Sequence, residues 1–294
     1  MMAQVAASQT LLRDYVALTK PRIIVLLLVT ALGGMFLASQ GAPEASLIFL
    51  VLGGGALAAG GANAMNHALD KDIDERMDRT RERPVAIGRV DANQALAFGI
   101  ALNLLAFTLL STMVNPISAA LTLSATLFYV LVYTKVLKRT TPQNIVIGGA
   151  AGAIPPMVGW TAVTGQIDLP ALYLFAIVFF WTPPHFWALS LILKDDYARA
   201  GVPMLPVVAG VDKTKTSILL YSVLLLALTL MFSSTVTSLH WIYLGSSLAL
   251  GIGFVGLAWR LKRRPEIEGA RPFFYYSMLY LAALFLVIMI DSAV

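Results

Sequence analysis

The chain has 294 residues, of which 58% are hydrophobic and 13% charged, and its mean hydropathy is +0.78. This composition lies outside the range of soluble globular domains and predicts a membrane protein. The sequence has no cysteine, which excludes disulfides, thiolate catalysis and thiolate metal sites. We expect the formal net charge of +5 to come from loops that face anionic lipid, and therefore no binding of nucleic acid.

Long stretches without charge predict the membrane-spanning elements, since a helix needs about 20 apolar residues to cross the hydrocarbon. Seven such stretches occur, at residues 23–43, 45–69, 92–134, 140–167, 169–193, 216–259 and 272–290. Two of them are twice as long as one span and contain a polar break, at Asn115-Pro116 and near Ser238-His240. The sequence therefore predicts an all-α, polytopic membrane protein with nine transmembrane helices in a single domain, 1–294.

The basic residues are confined to alternate loops of this topology. All 21 Lys and Arg lie before the first span or in every second loop, whereas the opposite side holds only Glu44, Asp168 and Asp291. Residues 1–20 also lack the apolar core of a signal peptide. We therefore expect a cytoplasmic N-terminal tail at 1–20, a periplasmic C-terminus and a location in a bacterial inner membrane.

The second span is rich in small residues, which let neighbouring helices approach closely. These residues are Gly53, Gly54, Gly55, Gly60 and Gly61. The fifth and sixth spans contain the pairs Pro155-Pro156 and Pro183-Pro184, and each pair removes backbone donors from a helix in lipid. The proline pairs predict either the walls of a cavity or simple kinks.

A row of oxygen-bearing side chains begins inside the second span. Asn66, Asp70, Asp74 and Asp78 recur at every fourth residue and would share one helical face over three turns. Like charges at this spacing repel each other unless a cation lies against them. Oxygen ligands without matching His or Cys favour Mg²⁺, although an ordinary solvated helix would show the same charges.

Basic residues follow the acidic row at once. They are Arg76, Arg79, Arg81 and Arg83. A divalent metal can bridge phosphate oxygens while guanidinium groups neutralise the remaining charge. The combination of carboxylates and arginines therefore predicts a site for a diphosphate, with pyrophosphate as the leaving group.

Two further charged clusters lie at the predicted cytoplasmic ends of spans. Asp195 and Asp196 end the sixth span, and Lys135, Lys138 and Arg139 end the fourth on one helical face. The basic trio by itself is also explained as a topology anchor. Together with the acidic row, these clusters predict a cavity for Mg²⁺ and a polyprenyl diphosphate whose tail lies between helices.

Several stretches resemble a known family of membrane enzymes. Asn66, Asp70 and Asp74 match the Asn-x-x-x-Asp-x-x-x-Asp motif of the UbiA superfamily of intramembrane prenyltransferases. Within that superfamily the chain resembles the protohaem IX farnesyltransferases (haem o synthases), on residues 77–84, 133–135, 138–149 and 196–206. Each stretch alone is weak, but together they are specific.

The resemblance implies nine helices around a central cavity that opens to the cytoplasmic side. It implies a Mg²⁺-dependent reaction in which farnesyl diphosphate ionises, a vinyl group of haem b attacks the allylic cation, and water adds to give haem o. Membrane lipid would surround the chain. A haem a synthase or a terminal oxidase is a candidate recipient of the product.

The resemblance also assigns roles to individual residues. The metal ligands would be Asn66, Asp70 and Asp74 in a first Mg²⁺ site and Asp195 and Asp196 in a second. The catalytic residues would be Asn66, Asp70, Asp74 and Lys135. The diphosphate ligands would be Arg79, Arg83, Lys135, Lys138 and Arg199.

The second acidic motif departs from the family's Asp-x-x-x-Asp pattern. Arg199 and Ala200 stand four residues after Asp195 and Asp196, where the pattern has a further aspartate. Either the second Mg²⁺ has fewer protein ligands or Arg199 contacts phosphate directly.

Three histidines are candidate ligands of haem iron. His240 is predicted in an outer loop, remote from the acidic helix ends, whereas His67 adjoins Asn66 and His185 follows Pro183-Pro184. His67 and His185 are therefore the candidate haem-binding residues, with hydrogen bonding between helices as the alternative.

Two other functions would use similar features. A prenyltransferase for aromatic acids would carry the same acidic motifs, but the Asp-Tyr-x-x-Ala-Gly stretch at 196–201 and the two histidines argue against it. A transporter or haem carrier would use broken helices and polar groups near the midplane. No charge lies near the middle of any predicted span, which disfavours transport.

Overall fold

The computed structural model describes residues 2–236 and 239–294, and that part of the chain folds into helices without a strand. Nine helices within these ranges are long and apolar enough to cross a membrane. They are Pro21–Ser39 (α2), Ala45–Leu69 (α3), Ala92–Met113 (α5), Pro116–Thr140, Asn144–Thr164 (α8), Leu169–Ile192 (α9), Val211–Ser233 (α12), Trp241–Arg263 (α13) and Ala270–Asp291 (α14). The shorter helices are Met2–Thr19 (α1), Lys71–Asp74 (α4), Lys194–Arg199 (α10) and Leu205–Val208 (α11). The prediction of nine spans is confirmed.

Each double-length stretch divides into two helices near its polar break. At the first break the Asn115 side chain accepts a hydrogen bond of 2.8 Å from the N–H of Ser118, which caps the next helix. Pro116 lies in the first turn, where its missing N–H costs no hydrogen bond. At the second break Ser238 lies outside the described residues, and His240 directly precedes α13.

The fourth span changes its helical form along its length. An α-helix over Pro116–Leu127 (α6) continues as a π-helix over Phe128–Leu137, and a short turn over Lys138–Thr140 (α7) follows. Hydrogen bonds in a π-helix join residues five apart, and such segments are rare and frequently occur at functional sites. Here the π-helix buries Val130 and Thr134.

Helices α3 and α5 meet at glycines. A Cβ atom on Gly61 would lie 2.5 Å from the carbonyl oxygen of Gly99, and one on Gly99 would lie 2.5 Å from that of Gly61. Neither residue has room for a side chain unless the backbone moves. Gly53, in the same helix as Gly61, has no atom within 4 Å of its Cβ position. The predicted close approach is therefore confirmed at Gly61, and Gly53 plays no part in it.

Both proline pairs lie inside continuous helices, α8 and α9. A Cβ atom on Gly34 of α2 would lie 2.2 Å from the carbonyl oxygen of Pro156, so the first pair lies at a tight contact between helices. An apolar groove of about 590 Å³ lies between α2, α3 and α5. The central cavity implied by the family resemblance stays a prediction.

A small apolar cluster joins two charged loops at one end of the bundle. The first acidic loop comprises residues 70–83, and the second acidic loop comprises residues 194–204. Ile73 and Met77 of the first pack with Tyr197 of the second in one buried cluster. The two acidic motifs are thereby held side by side although four spans separate them in the sequence.

Candidate active site

The first acidic loop begins with a break in the helix at Asp70. Helix α3 ends at the preceding residue, and Asp70 has φ −97° and ψ 11° before the short helix α4 starts. After Asp74 the chain turns again, and the Thr80 hydroxyl donates to the Asp74 carbonyl at 3.1 Å. The expected helical row over three turns is therefore wrong at Asp78, whose side chain is 63% exposed.

Asp70 is completely buried, and one of its carboxylate oxygens is bonded to a lysine and to an amide. Its Oδ2 accepts hydrogen bonds from Lys138 Nζ at 2.5 Å and from Asn66 Nδ2 at 2.7 Å. Its Oδ1 has no hydrogen-bond partner within the described residues, and Arg139 lies 3.7 Å away. A buried carboxylate oxygen without a donor is costly, so this atom is suited to receive a cation.

Asp74 is buried against an arginine from its own loop. Arg83 Nη1 lies 2.8 Å from both carboxylate oxygens of Asp74, and the arginine side chain is partly exposed. Asp74 itself is 2% exposed. The pair joins a predicted metal ligand to a predicted diphosphate ligand.

Asn66 is held from two sides by residues far away in the sequence. Its Oδ1 accepts a hydrogen bond of 3.0 Å from Lys20 Nζ, and its Nδ2 donates to the Thr134 hydroxyl at 3.1 Å. Burial, and then the charge of Arg83, lowers the pKa of Lys20 from 10.5 to about 7. Sequence reasoning missed Lys20, because a basic residue just before a span is equally explained by the topology rule.

The two aspartates of the second acidic loop differ in their surroundings. Asp196 is buried and is bonded to Arg199, which also donates to Asp78 of the first acidic loop at 2.5 Å. Asp195 is exposed and makes no ion pair within the described residues. Arg199 therefore links the two loops, and its contact with phosphate stays a prediction.

The pKa of Tyr197 is affected by charges from both acidic loops. Burial raises the pKa of its hydroxyl; the arginines Arg79 and Arg83 oppose the rise, and Asp196 and Asp70 add to it. Charges from both acidic motifs therefore act on one buried side chain of the second acidic loop.

The predicted basic residues separate into two groups. Lys138 and Arg83 contact the buried aspartates, whereas Lys135 and Arg79 are exposed and form no ion pair within the described residues. Arg139 donates to both carboxylate oxygens of Asp72, at 2.7 and 2.8 Å, and holds the pKa of Asp72 below its usual value. Asp72 and Arg139 thus form a pair at the edge of the site.

The donor set of this site suits Mg²⁺. No group of three or more His, Cys, Asp or Glu side chains is close enough to hold a metal within residues 11–236 and 239–294. The carboxylates of Asp70 and Asp74 and the amide oxygen of Asn66 are nonetheless hard oxygen donors, and Asp70 Oδ1 is unsatisfied. One or two carboxylates plus phosphate oxygens are what Mg²⁺ typically uses, so the residues present fit the ion.

The three histidines occupy different environments. His67 is 2% exposed, and neither ring nitrogen has a partner within the described residues. His185 is 8% exposed, and its Nδ1 lies 2.6 Å from the hydroxyl of Ser277. His240 lies at the start of α13, where its backbone N–H is bonded to Asp291 near the C-terminal end of α14.

A helical bundle with two acidic motifs side by side at one end, and with cations on their buried carboxylates, fits the class of intramembrane prenyltransferases that the sequence resembles. A family model described as "UbiA prenyltransferase family" matches residues 27–286, and the chain belongs to this family. The expected family membership is confirmed.

Relatives at about half identity carry one name. A "Protoheme IX farnesyltransferase" of Synechocystis sp. is 49% identical over 95% of this chain and 89% of its own length. One of Symbiobacterium thermophilum is 50% identical over 97% of this chain and 95% of its own. One of Chloroflexus aurantiacus is 47% identical over 98% of this chain, which spans only 49% of that relative's length.

Solved structures share the fold at low identity. A structure concerned with digeranylgeranylglyceryl phosphate synthase has a TM-score of 0.79 at 19% identity, covering 96% of this chain and 98% of its own. A UbiA homologue from Archaeoglobus fulgidus bound to GPP and Mg²⁺ has a TM-score of 0.69 at 17% identity, covering 94% and 99%. These similarities confirm the all-helical membrane fold.

Proposed function

We propose that the protein transfers the farnesyl group of farnesyl diphosphate to a vinyl group of haem b, with addition of water, to give haem o and diphosphate. The family and the relatives named protoheme IX farnesyltransferase support this reaction. The observation that carries it is the set of buried oxygen donors at Asn66, Asp70 and Asp74. Each of the three is bonded directly to a cationic side chain.

The proposal includes Mg²⁺ bound by Asn66, Asp70 and Asp74, with Asp196 of the second acidic loop as a further ligand. The unsatisfied Oδ1 supports Asp70 as a ligand, and the match of Asn66 and Asp74 to the family motif supports the other two. When bound, the ion would polarise the diphosphate and stabilise its negative charge as it leaves. Asp195 receives less support than Asp196, because it is exposed and unpaired within the described residues.

The diphosphate would be held by cations that already lie at this site. Arg83 and Lys138 contact the same carboxylates that are proposed to bind Mg²⁺, so phosphate oxygens carried by the ion would lie within their reach. A guanidinium binds phosphate bidentately, and an ammonium acts as a point charge. The exposed Arg79, Lys135 and Arg199 would act from the cytoplasmic face.

The chemistry requires no protein nucleophile. The C1–O bond of farnesyl diphosphate breaks and pyrophosphate takes its electron pair; the vinyl group of haem b then forms the new C–C bond. The resulting cation takes up water and loses a proton. The chain's own tasks are to bind both substrates, to stabilise the leaving diphosphate and to hold the haem, for which His67 and His185 are the proposed contacts.

A single assay separates this proposal from its alternatives. Purified full-length protein is given haem b and farnesyl diphosphate, with Mg²⁺ or with a chelator, and pyrophosphate release and the mass of the pigment are followed. We expect haem o and equimolar pyrophosphate with Mg²⁺ and neither with chelator. Transfer at an equal rate in chelator would contradict the metal site. A transporter would release no pyrophosphate, and an aromatic-acid prenyltransferase would act only when a hydroxybenzoate replaces haem.

We also propose the orientation of the chain in its membrane, the membrane itself and the recipient of the product. Nine apolar helices and the family make the chain a multi-pass membrane protein. The distribution of Lys and Arg supports a cytoplasmic N-terminus, a periplasmic C-terminus and a bacterial inner membrane. A haem a synthase or a terminal oxidase is the proposed recipient of haem o.

A further inference from the structure

His185 lies in α9 between two aromatic rings. Its imidazole stacks on Trp181, with centroids 4.4 Å apart and an interplanar angle of 17°. Its other face stacks on Phe274 of α14, at 4.7 Å and 21°. Contact on both faces prevents the imidazole from tilting, so the plane of the ring is set before any ligand arrives.

Hydrogen bonding to α14 decides which ring nitrogen carries the proton. The Ser277 hydroxyl lies 2.6 Å from His185 Nδ1 and 2.6 Å from the carbonyl oxygen of Phe274. A hydroxyl has one hydrogen to donate. If Ser277 donates to the Phe274 carbonyl, His185 donates from Nδ1–H to Ser277 and both bonds form.

The opposite arrangement is less favourable. If Ser277 instead donated to Nδ1, its single hydrogen could not also bond to the Phe274 carbonyl, so one of the two hydrogen bonds would be lost. Two hydrogen bonds are more favourable than one at this buried contact. His185 therefore carries its proton on Nδ1 and presents a lone pair at Nε2.

This arrangement is the one that metal-binding histidines adopt. Such a residue ligates through one nitrogen while its other N–H is held by a hydrogen bond that orients the ring. Both ring nitrogens of His67 are sealed from solvent and have no partner, whereas Nε2 of His185 is not among the sealed, unpaired atoms of the described residues. The His67 ring also lacks the hydrogen bond that would orient it, so His185 is the better candidate of the two.

The position of His185 along α9 is compatible with the proposed reaction. It precedes Asp195 by ten residues, which corresponds to about 15 Å along a helix that rises 1.5 Å per residue. A haem held at His185 would therefore lie within a few helical turns of the acidic loops, where the diphosphate is proposed to bind.

We propose that Nε2 of His185 binds the iron of the haem substrate and that Ser277 is a positioning residue, which accepts from Nδ1–H and fixes the lone pair on Nε2. This inference rests on the proposed function, because it names the group that holds the acceptor. It makes the contact between α9 and α14 part of the haem site.

The test is a titration of the purified full-length protein with haem b, followed by absorption and by the iron–histidine stretch in resonance Raman spectra of the ferrous form. The wild type should show histidine-ligated haem. His185→Ala should lose that signature and bind haem at least about 10-fold more weakly, and imidazole in the buffer should restore the ligation. His185→Gln keeps more of the side-chain volume and replaces the alanine variant if that variant unfolds.

Ser277→Ala tests the positioning role. It should keep the iron–histidine band at a shifted frequency and weaken haem binding by about 10–100-fold, the usual effect of removing a partner that orients a metal ligand. Ser190→Ala is the matched control. Ser190 is fully buried, as Ser277 is, but it lies in α9 and bonds only to the carbonyl of Trp187 within the described residues. Its haem affinity should stay within about 2-fold of wild type.

Two results would overturn the inference. One is a His185→Ala variant with the wild-type spectrum and affinity, and the other is a Ser277→Ala variant that behaves as Ser190→Ala does. Farnesyl diphosphate binding, measured in parallel, should be unchanged in all three variants. Because wild-type protein can release pyrophosphate with haem b whatever ligates the iron, failure of this inference is distinguishable from failure of the proposed function.

Discussion

The buried carboxylates that follow α3 are each paired with a cation, one from a distant helix end and one from the same loop. Asp70 is paired with Lys138, 68 residues away, and Asp74 with Arg83. Removing one member of such a pair leaves an unpaired buried charge, which costs more than the pair contributes. An amide of the same shape avoids much of that cost, so Asp→Asn variants separate the loss of a ligand from the loss of packing.

Asp74→Asn should reduce kcat/KM by about 100-fold or more, because a metal ligand and the anchor of Arg83 are lost together. Asp72→Asn is the control. Its carboxylate is 54% exposed and pairs with Arg139 at the edge of the site, so activity should change by less than about 3-fold. Pyrophosphate release is measured for both variants across a range of Mg²⁺ concentrations. Equal activities would remove Asp74 from the metal site.

Arg83→Lys should raise the KM for farnesyl diphosphate by about 10-fold, because lysine keeps the charge but loses the planar fork that matches phosphate and carboxylate. Arg76→Lys is the same change in the same loop, at an exposed residue without an ion pair in the described structure. It should leave the KM unchanged. A similar rise in both variants would mean that the loop, and not the contact of Arg83 with Asp74, determines the affinity.

The sequence indicated which polar side chains to examine but not their partners. Spacing grouped Asn66, Asp70 and Asp74 with Asp78, and the family motif selected the first three. The hydrogen bonds that join Asn66 to Lys20 and to Thr134 cross 46 and 68 residues. Such contacts depend on how whole helices pack, which no local pattern contains. The exposure of Asp195 beside the buried Asp196 was unpredictable for the same reason.

At the scale of elements, the contact between α3 and α5 decides where the end of α3 lies. Gly61→Ala should destabilise the protein by about 1–3 kcal/mol, because the new methyl group would overlap the Gly99 carbonyl. Gly53→Ala, in the same helix with open space around it, should change stability by no more than about 0.5 kcal/mol. Thermal unfolding in one detergent compares them, and equal shifts would contradict the close contact.

The spans themselves were predictable, because length and apolarity decide which segments cross a bilayer. Two local features were not. The π-helix at Phe128–Leu137 and the helix break at Asp70 leave no mark in hydropathy. Each coincides with a tertiary contact that a local pattern does not contain, namely the burial of Thr134 and the pairing of Asp70 with Lys138.

At the scale of the whole molecule, the proposed topology is open to a direct test because the chain has no cysteine. Glu44→Cys and Glu82→Cys each place one thiol at an exposed residue, in a predicted outer and a predicted inner loop. A membrane-impermeant maleimide added to intact spheroplasts should label the first within minutes and the second only after the membrane is opened. Reversed labelling would contradict the cytoplasmic N-terminus.

The bond between Arg199 and Asp78 joins residues 121 positions apart, and it has a consequence for the order of events during synthesis. When Asp70 and Asp74 leave the ribosome, Lys138 and Asp196 have not yet been translated. Chains are made from the N-terminus and fold as their segments become available. The proposed active site of a nascent chain is therefore incomplete until its sixth span has been inserted. A truncated chain released earlier would contain the first acidic loop without Asp196 and Arg199.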